Sequence, residues 1–550
     1  MSIYDKASLV LIPSGTKTSK VYSQKPVSGD GDFTFTRASA ATRISANGNI
    51  EKETSNLLLQ SNSFDTTWGP SSSISVTGGQ SGYDGTSDAW LLKRSDASAR
   101  YINQNITLGS SVYTYSVYAK PESENWMYFW SYNGSGSVNA YFDLQNGVVG
   151  NTSGLIDATI VAAGNGYYRC SITYNNNIAS VRIYPAVANG SITGGIVGAG
   201  IYIQDAQLEQ GLVARDYIET TTTAVYGGIT DNTPRLDYTD SSCPSLKLEP
   251  QRTNLATLSE YFEGWSHKPN TTATSNYTTS PEGLTNATRL EFTGNGYLYN
   301  INSPTQVNGT EYTLSCYAKR NDSGTQSFGF FTNGSGSVNS AMTLTSEWKR
   351  FDYTYTATNA SQLGLAGSSG ADVSVFGFQV EASASYATSY IPTYGSSVTF
   401  AAESNSVTGI SSLINNSEGT LFIEAATLEN GADCRITYSD GTISNRVSIE
   451  WDANADTIKG FIGVGGNLET TSYDQTIMNK IALVYNATDA RLFINGTKVF
   501  TDSSVPSLSG MDRLEFSNYG GALPFVGNTK QLLILKEKLT DQEAIDLTTI

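Results

Sequence analysis

Tyr113-Thr-Tyr-Ser-Val-Tyr-Ala-Lys120 returns further along the chain as Tyr312-Thr-Leu-Ser-Cys-Tyr-Ala-Lys319. Both stretches alternate. Tyr113, Tyr115 and Val117 fall on one side of an extended strand, with Thr114 and Ser116 on the other. Tyr312, Leu314 and Cys316 restate the apolar side. A period of two marks a strand with one face buried. Cys316 stands where Val117 stands, so it reads as a small buried hydrophobe rather than a reactive thiol. Cys170 alternates with Tyr168, Ile172 and Tyr174, matches Phe351, and reads the same way.

Other landmarks recur in the same order on either side. Asn56-Leu57 through Phe64 to Trp68 matches Asn254-Leu255 through Phe262 to Trp265. Asn133-Gly-Ser-Gly-Ser-Val-Asn139 matches Asn333-Gly-Ser-Gly-Ser-Val-Asn339, and Arg169 matches Arg350. Gln207-Leu-Glu209 matches Gln379-Val-Glu381, and Tyr217-Ile218 matches Tyr390-Ile391. The second copy is shorter by a loop. Short alternating strands separated by Gly, Asn and Ser turns predict an antiparallel sandwich or jelly roll, present twice. The expected layout is an attachment segment at 1–55, repeat 1 at 56–220, an extended linker at 221–251, repeat 2 at 252–395 and a third domain at 396–550. The three prolines of the linker (234, 244 and 250) suit a connector clamped onto its neighbours, with Cys243 as a structural thiol.

The third domain predicts strands at Gly419–Thr427, 447–451 and 460–464. A further pair spans 480–500 around an Asn495-Gly496 hairpin turn. Thr540-Asp-Gln-Glu543 is a capping box opening a short helix, the one helix expected. The fold class is therefore all-β: tandem antiparallel β-sandwich or jelly-roll domains with one short C-terminal helix.

Composition narrows the functions. The 550 residues suggest three or four domains. A net charge of −17 argues against nucleic acid and anionic membranes, whose phosphates need clustered cations. A single histidine, His267, leaves no multi-histidine zinc site and at most one triad, and it reads as incidental. Four cysteines lack CxxC spacing. No apolar run reaches the roughly 18 residues of a membrane span. The run at residues 8–12 is short for a signal peptide, so synthesis in a cytosol without export by that route is expected.

Several stretches resemble known families. Residues 482–500 (ALVYNATDARLFINGTKVF) and 532–547 (LLILKEKLTDQEAIDL) resemble a laminin-G/concanavalin-like jelly roll. YTYSVYAK and QLEQG…RDYIET resemble jelly rolls of the carbohydrate-binding-module type. DFTFTRASAATRISANGNIE and PRLDYTDSSCPSLKLEPQRTNL resemble linking motifs of bacteriophage virion proteins such as tail fibres and head fibres. The resemblance implies a binding appendage on the virion surface, made in the host cytoplasm. Its implied partners are other virion proteins and a host surface polysaccharide, with homo-oligomerisation, a trimer by analogy with fibres.

Two sites follow from the residues. In Trp126-Met-Tyr-Phe-Trp-Ser-Tyr132 against Gln326-Ser-Phe-Gly-Phe-Phe-Thr332, Tyr128 and Trp130 align with Phe328 and Phe330 and read as core. Trp126 and Tyr132 align with Gln326 and Thr332. The fold does not require aromatics there, so they suit a platform for a pyranose ring, or a packing surface for a neighbouring domain or subunit. Asp452 and Asp456 flank a turn whose oxygens suit Ca²⁺, or only solvent. Glu209 and Glu381 recur and read as structural, and no acid pair stands out for glycosidase work. The expected function is glycan binding without catalysis. A purely structural head-decoration or fibre-base role is the alternative, and a polysaccharide-active enzyme the third reading.

Overall fold

The fold is described from a computed structural model of the chain. It describes residues 2–550 apart from 240, 304, 335, 336, 465 and 504. Residues 335 and 336 of the second Asn-Gly-Ser-Gly-Ser-Val-Asn turn, residue 240 of the connector and Met1 therefore lie outside the described residues.

The duplication is visible strand by strand. Repeat 1 orders one layer as Ile74–Gln80, Ala89–Arg94, Gly200–Gln210, Ile102–Pro121 and Tyr168–Ala186. Repeat 2 has the same order in Thr271–Thr278, Ala287–Phe292, Asp372–Ala382, Glu311–Arg320 and Lys349–Thr356. Its second layer is Gly296–Leu298, Gly364–Gly367, Phe328–Phe331 and Ser340–Ala341. In repeat 1 the strands Ile102–Pro121 and Tyr168–Ala186 are 20 and 19 residues long and run through both layers. Trp126–Tyr132, Ser137–Asp143 and Val148–Ser153 complete the second layer. Val117 pairs with Cys170 and Cys316 with Phe351, and both cysteines are buried.

A buried asparagine fastens each repeat. The Asn56 amide donates to the carbonyls of Ala206 (3.0 Å) and Ile218 (2.8 Å) and accepts from the Leu58 and Leu208 N–H groups. Asn254 does the same with Phe378, Ile391, Ala256 and Val380. The Trp68 and Trp265 indoles donate to the carbonyls of Gln60 and Leu258. Ser61–Tyr217 and Ser259–Tyr390 form matching hydroxyl pairs at 2.6 Å. Local polar bonds of this kind hold the strap after Gly200–Gln210 and after Asp372–Ala382 against its own sheet.

The third sandwich differs from the expected layout. Ala7–Leu11 pairs with Gly527–Leu535, and Phe33–Thr36 pairs with Ser404–Thr408. Arg235–Asp237 and Ser245–Leu248 pair with each other, and the latter joins Gly527–Leu535. Leu9, Leu11, Phe33, Phe35, Leu246 and Leu248 share its core with Ile423, Trp451 and Leu532. Residues read as an attachment segment and as a linker are thus built into a sandwich whose other strands lie hundreds of residues away. Alternation reveals a strand but not a distant partner. Cys243 is exposed in the turn between those two strands, not packed as a structural thiol.

The predicted C-terminal helix spans Asp541–Thr548 with its Thr540/Glu543 capping box, and a single helical turn at Ile3–Lys6 has one too. The Asn495-Gly496 turn has φ values of 50° and 79°, as a tight hairpin requires. Among the described residues no helix is long and apolar enough to cross a membrane.

Candidate functional site

Each sandwich layer turns one face to the core and one away from it, so repeat 1 offers two outer faces. The first lies over the five-strand layer. Val117 and Ala119 point inward there, which sends Ser116 and Tyr118 outward beside Arg169, Ser171 and Thr173. Tyr118, Arg169, Ser171 and Thr173 floor a groove of about 510 Å³, within the roughly 300–1,000 Å³ of ligand pockets. One wall is Tyr83, whose ring lies flat on Tyr118 with centroids 3.7 Å apart and planes 5° from parallel. The opposite wall is the strand Asp157–Ala162, and Leu212, Val213 and Ala214 of the strap close a third side.

Hydrogen bonds set this geometry. The Tyr83 N–H donates to Gln204 Oε1 (3.0 Å) and its hydroxyl to Asp205 Oδ2 (3.0 Å). Asp205 holds a φ of 54°, a left-handed conformation that non-glycine residues seldom adopt. Burial pushes its carboxyl up to about 7, against the Tyr83 hydrogen bond, with Asp88 and Asp84 adding to the rise. Burial likewise raises the Tyr83 phenol, and Asp205 adds to it. The Arg169 guanidinium lies over the Tyr118 ring at 5.3 Å and donates to Ser116 Oγ (3.2 Å). Thr159 and Ser171 share a hydroxyl hydrogen bond of 2.6 Å, and Asp157 accepts from Asn276 of repeat 2 (2.7 Å). The groove thus combines an apolar aromatic wall with hydroxyl, carboxylate and guanidinium groups. It can stack and hydrogen-bond a ligand.

The second outer face carries the residues expected to bind sugar. Trp126, Tyr128, Trp130 and Tyr132 all point outward and are half-buried, whereas Met127 and Phe129 are the core residues of the strand Trp126–Tyr132. The assignment of Tyr128 and Trp130 to the core is therefore wrong by one residue. Phe129 pairs with Ile183 as Phe330 pairs with Leu365, so Phe129 is the counterpart of Phe330. A one-residue slip exchanges the two faces of a strand. Trp130 stacks on Tyr132 at 5.2 Å, and Arg182 sits over Trp130 at 4.1 Å and over Tyr101 at 4.3 Å. Tyr132 donates its hydroxyl to the Gly134 carbonyl. Trp126 and Tyr132 end this row, about 20 Å apart at strand spacing.

The remaining sequence candidates are placed as follows. Asp452 accepts from the backbone and side chain of Asn454 and forms an ion pair with Lys459 at 2.5 Å. Burial works against its charge, but Lys459 and the Asn454 N–H hold it below the usual carboxylate range. Asp456 accepts from Asn430 Nδ2 at 2.8 Å. A cation at this turn would have to displace the Lys459 ammonium. Among the described residues no three His, Cys, Asp or Glu side chains gather at metal-binding spacing. Glu209 accepts from Gln207 Nε2 and the Arg215 N–H, and Glu381 accepts from Gln379 Nε2 and Thr388. His267 stacks on Tyr299 at 4.7 Å and packs on Tyr297 at 5.1 Å. Tyr83, Tyr118 and Arg169 were not singled out from sequence. The available signal was that Tyr118 and Arg169 recur as Tyr317 and Arg350.

No protein-family model matches the chain, and no curated protein gives a significant match. Solved structures similar to parts of it include the Ruminococcus gnavus IT-sialidase CBM40 bound to α2,3 sialyllactose. That match is 18% identical, covers 25% of this chain and 84% of that one, and has a TM-score of 0.22. Domain 4 of AbnA, a GH43 extracellular arabinanase from Geobacillus stearothermophilus, in complex with arabinotriose, is 14% identical. It covers 27% of this chain and 73% of that one, with a TM-score of 0.23. The tandem CBM22-1-CBM22-2 from Paenibacillus barcinonensis Xyn10C is 10% identical over 60% of this chain and 96% of that one, with a TM-score of 0.21.

Proposed function

We propose that this chain is a binding protein without catalysis, an appendage of a phage virion that holds host surface glycan on repeat 1. The observation that carries the reading is the open groove walled by Tyr83 and Tyr118. Its ring faces, hydroxyls and single guanidinium suit a pyranose, which offers an apolar face and a rim of hydroxyls. The outer row ending in Trp126 and Tyr132 supplies a second contact surface for the same polysaccharide. Single sites of this kind are weak, and homo-oligomers repeated over a particle would multiply them. The linking stretches at 32–51 and 234–255 support the virion part of the reading through their resemblance to phage linking motifs.

The test is a glycan array probed with the full chain. Tyr118→Ala takes away the ring on which Tyr83 lies and is expected to lower binding about tenfold or more, since stacking contacts contribute about 1–3 kcal/mol each. Trp126→Ala is expected to weaken binding to long polysaccharide more than to short oligosaccharides. Binding unchanged in both variants would end the glycan reading. A second reading, packing between virion subunits, is favoured by the half-buried Trp126–Tyr132 row with Arg182 laid across it. Competition of the purified chain with phage adsorption separates the two, because a purely structural subunit would not compete.

A further inference from the structure

The tyrosine–arginine floor of the repeat 1 groove recurs in repeat 2. Tyr317 pairs with Arg350 as Tyr118 pairs with Arg169. Arg350 lies over the Tyr317 ring at 5.7 Å and donates to Ser315 Oγ at 3.0 Å, matching Arg169 over Tyr118 and on Ser116. A cavity of about 380 Å³ stands at this second floor, again within the roughly 300–1,000 Å³ of ligand pockets. Its walls come from distant parts of the chain. Arg43, Ile44 and Ile50 of the hairpin formed by Arg43–Ile44 and Ile50–Glu51 line one side. The paired strands Arg235–Asp237 and Ser245–Leu248 bring Asp237 and Lys247 to another. Ser389 and Tyr390 of the repeat 2 strap complete the lining.

The two sites differ in charge. The repeat 1 groove is lined by one cation and one carboxylate, Arg169 and Asp157. The repeat 2 cavity is lined by Arg43, Lys247 and Arg350 against Asp237 alone. That carboxylate is already engaged. Its Oδ2 accepts from the Ile44 N–H at 3.1 Å and faces the Lys247 ammonium at 3.5 Å, and its Oδ1 accepts from the Thr239 N–H and hydroxyl. The cations keep donors to spare. Among the described residues Arg350 forms no ion pair, Arg43 gives only its Nε to Glu51 (2.7 Å), and Lys247 forms its one ion pair with Asp237. Even with Glu51 counted at the rim, cations outnumber carboxylates by three to two, on a chain whose net charge is −17. A cleft lined by one sign of charge concentrates ligands of the other.

We infer that the repeat 2 cavity binds an acidic saccharide, whose carboxylates Arg350, Lys247 and Arg43 hold. The saccharide part rests on the glycan reading of repeat 1, because the two floors match. The acid part rests on the cations. The guanidinium forks of Arg43 and Arg350 suit carboxylates, and the Lys247 ammonium adds a point charge. Each chain then carries two saccharide sites of different preference, a neutral one on repeat 1 and an acidic one on repeat 2.

The experiment is saturation-transfer NMR titration of the full chain with trigalacturonate and trimannuronate as acidic probes and their methyl esters as matched neutral ones. At least one acid is expected to bind about tenfold or more tighter than its ester. Lys247→Met and Arg350→Met are each expected to weaken that binding about tenfold or more, and Tyr118→Ala to leave it in place. Circular dichroism checks that each variant is folded. If Arg350→Met unfolds the chain, Lys247→Met and Arg43→Met carry the test, since Lys247→Met leaves Asp237 its Ile44 and Thr239 donors. Silence with both acids overturns the inference, and so does equal binding of acid and ester. Acid binding unchanged in the folded lysine and arginine variants overturns it and leaves the reading of repeat 1 standing. Acid binding lost in Tyr118→Ala but kept in Lys247→Met also overturns it, because the acid would then sit in the repeat 1 groove. Acid binding lost in Lys247→Met, with glycan-array binding untouched by Tyr118→Ala, supports the inference and overturns the assignment of glycan to the repeat 1 groove.

Discussion

Asp205 and Gly377 occupy one position of the two repeats, and both have positive φ, 54° and 66°. Glycine meets that backbone at no cost, whereas aspartate bears about 1 kcal/mol of strain. In repeat 1 the carboxyl gives Tyr83 its hydrogen-bond acceptor. The cost recurs with pH. The unfolded carboxyl ionises near pH 4 and the folded one at about 7. Below about pH 4 both states are protonated and nothing is lost. From there to about 7 the unfolded state sheds its proton first, so stability falls as pH rises, and above 7 it levels. Asp205→Asn is expected to flatten that window in urea titrations, and Asp205→Gly to stabilise by about 1 kcal/mol at pH 8 while loosening Tyr83. This strain was not legible in the sequence. Alignment of the copies by landmarks reads residue types, not φ. The same alignment put Trp130 rather than Phe129 opposite Phe330, because a constant offset cannot register a one-residue slip between strands.

Single elements were legible where their signal was local. Gly419–Thr427 and the capped helix at Asp541–Thr548 stand where alternation and the capping box put them. The repeats were legible through polar residues as much as apolar ones. Asn56 and Asn254, each opening a landmark, make four hydrogen bonds apiece: one to the backbone two residues on, two to the Gly200–Gln210 or Asp372–Ala382 strand, and one to the strap that follows it. Asn254→Ala leaves the Ala256 and Val380 N–H groups and two carbonyls without their partner. It is expected to cost about 3 kcal/mol, since each buried orphan donor costs about 1–3 kcal/mol. Asn56→Ala should cost a similar amount. Differential scanning calorimetry on both variants checks the pair. Substantially unequal losses would mean the straps are held by different forces despite matching bonds. The seat of the Arg43–Glu51 hairpin on repeat 2 was not legible, because nothing near residue 50 encodes Phe376.

At the scale of the whole molecule, one buried ion cluster joins segments spread across the chain. Arg37 donates to Glu403 (2.8 Å), and Arg235 donates to Glu403 (2.8 Å) and to Glu249 (2.7 Å), all four side chains being buried. The Ser389 N–H also donates to Glu249, which draws in the end of repeat 2. Two cations and two anions balance, so the cluster is stable only complete. Removing one partner of a buried pair costs about 3–5 kcal/mol, chiefly through the charge left behind. Glu403→Ala strands the Arg37 guanidinium and leaves Arg235 with Glu249 alone, and is expected to fall within that range in urea unfolding. Glu403→Gln keeps the shape and should recover part of the loss. Adding Arg37→Met to Glu403→Ala should cost less than the two single losses added together, since the stranded charge is then absent. Additive losses would mean Arg37 and Glu403 are independent, and the N-terminal strands would then be held in the third sandwich by their strand pairing and by Leu9, Leu11, Phe33 and Phe35 without help from the ion cluster.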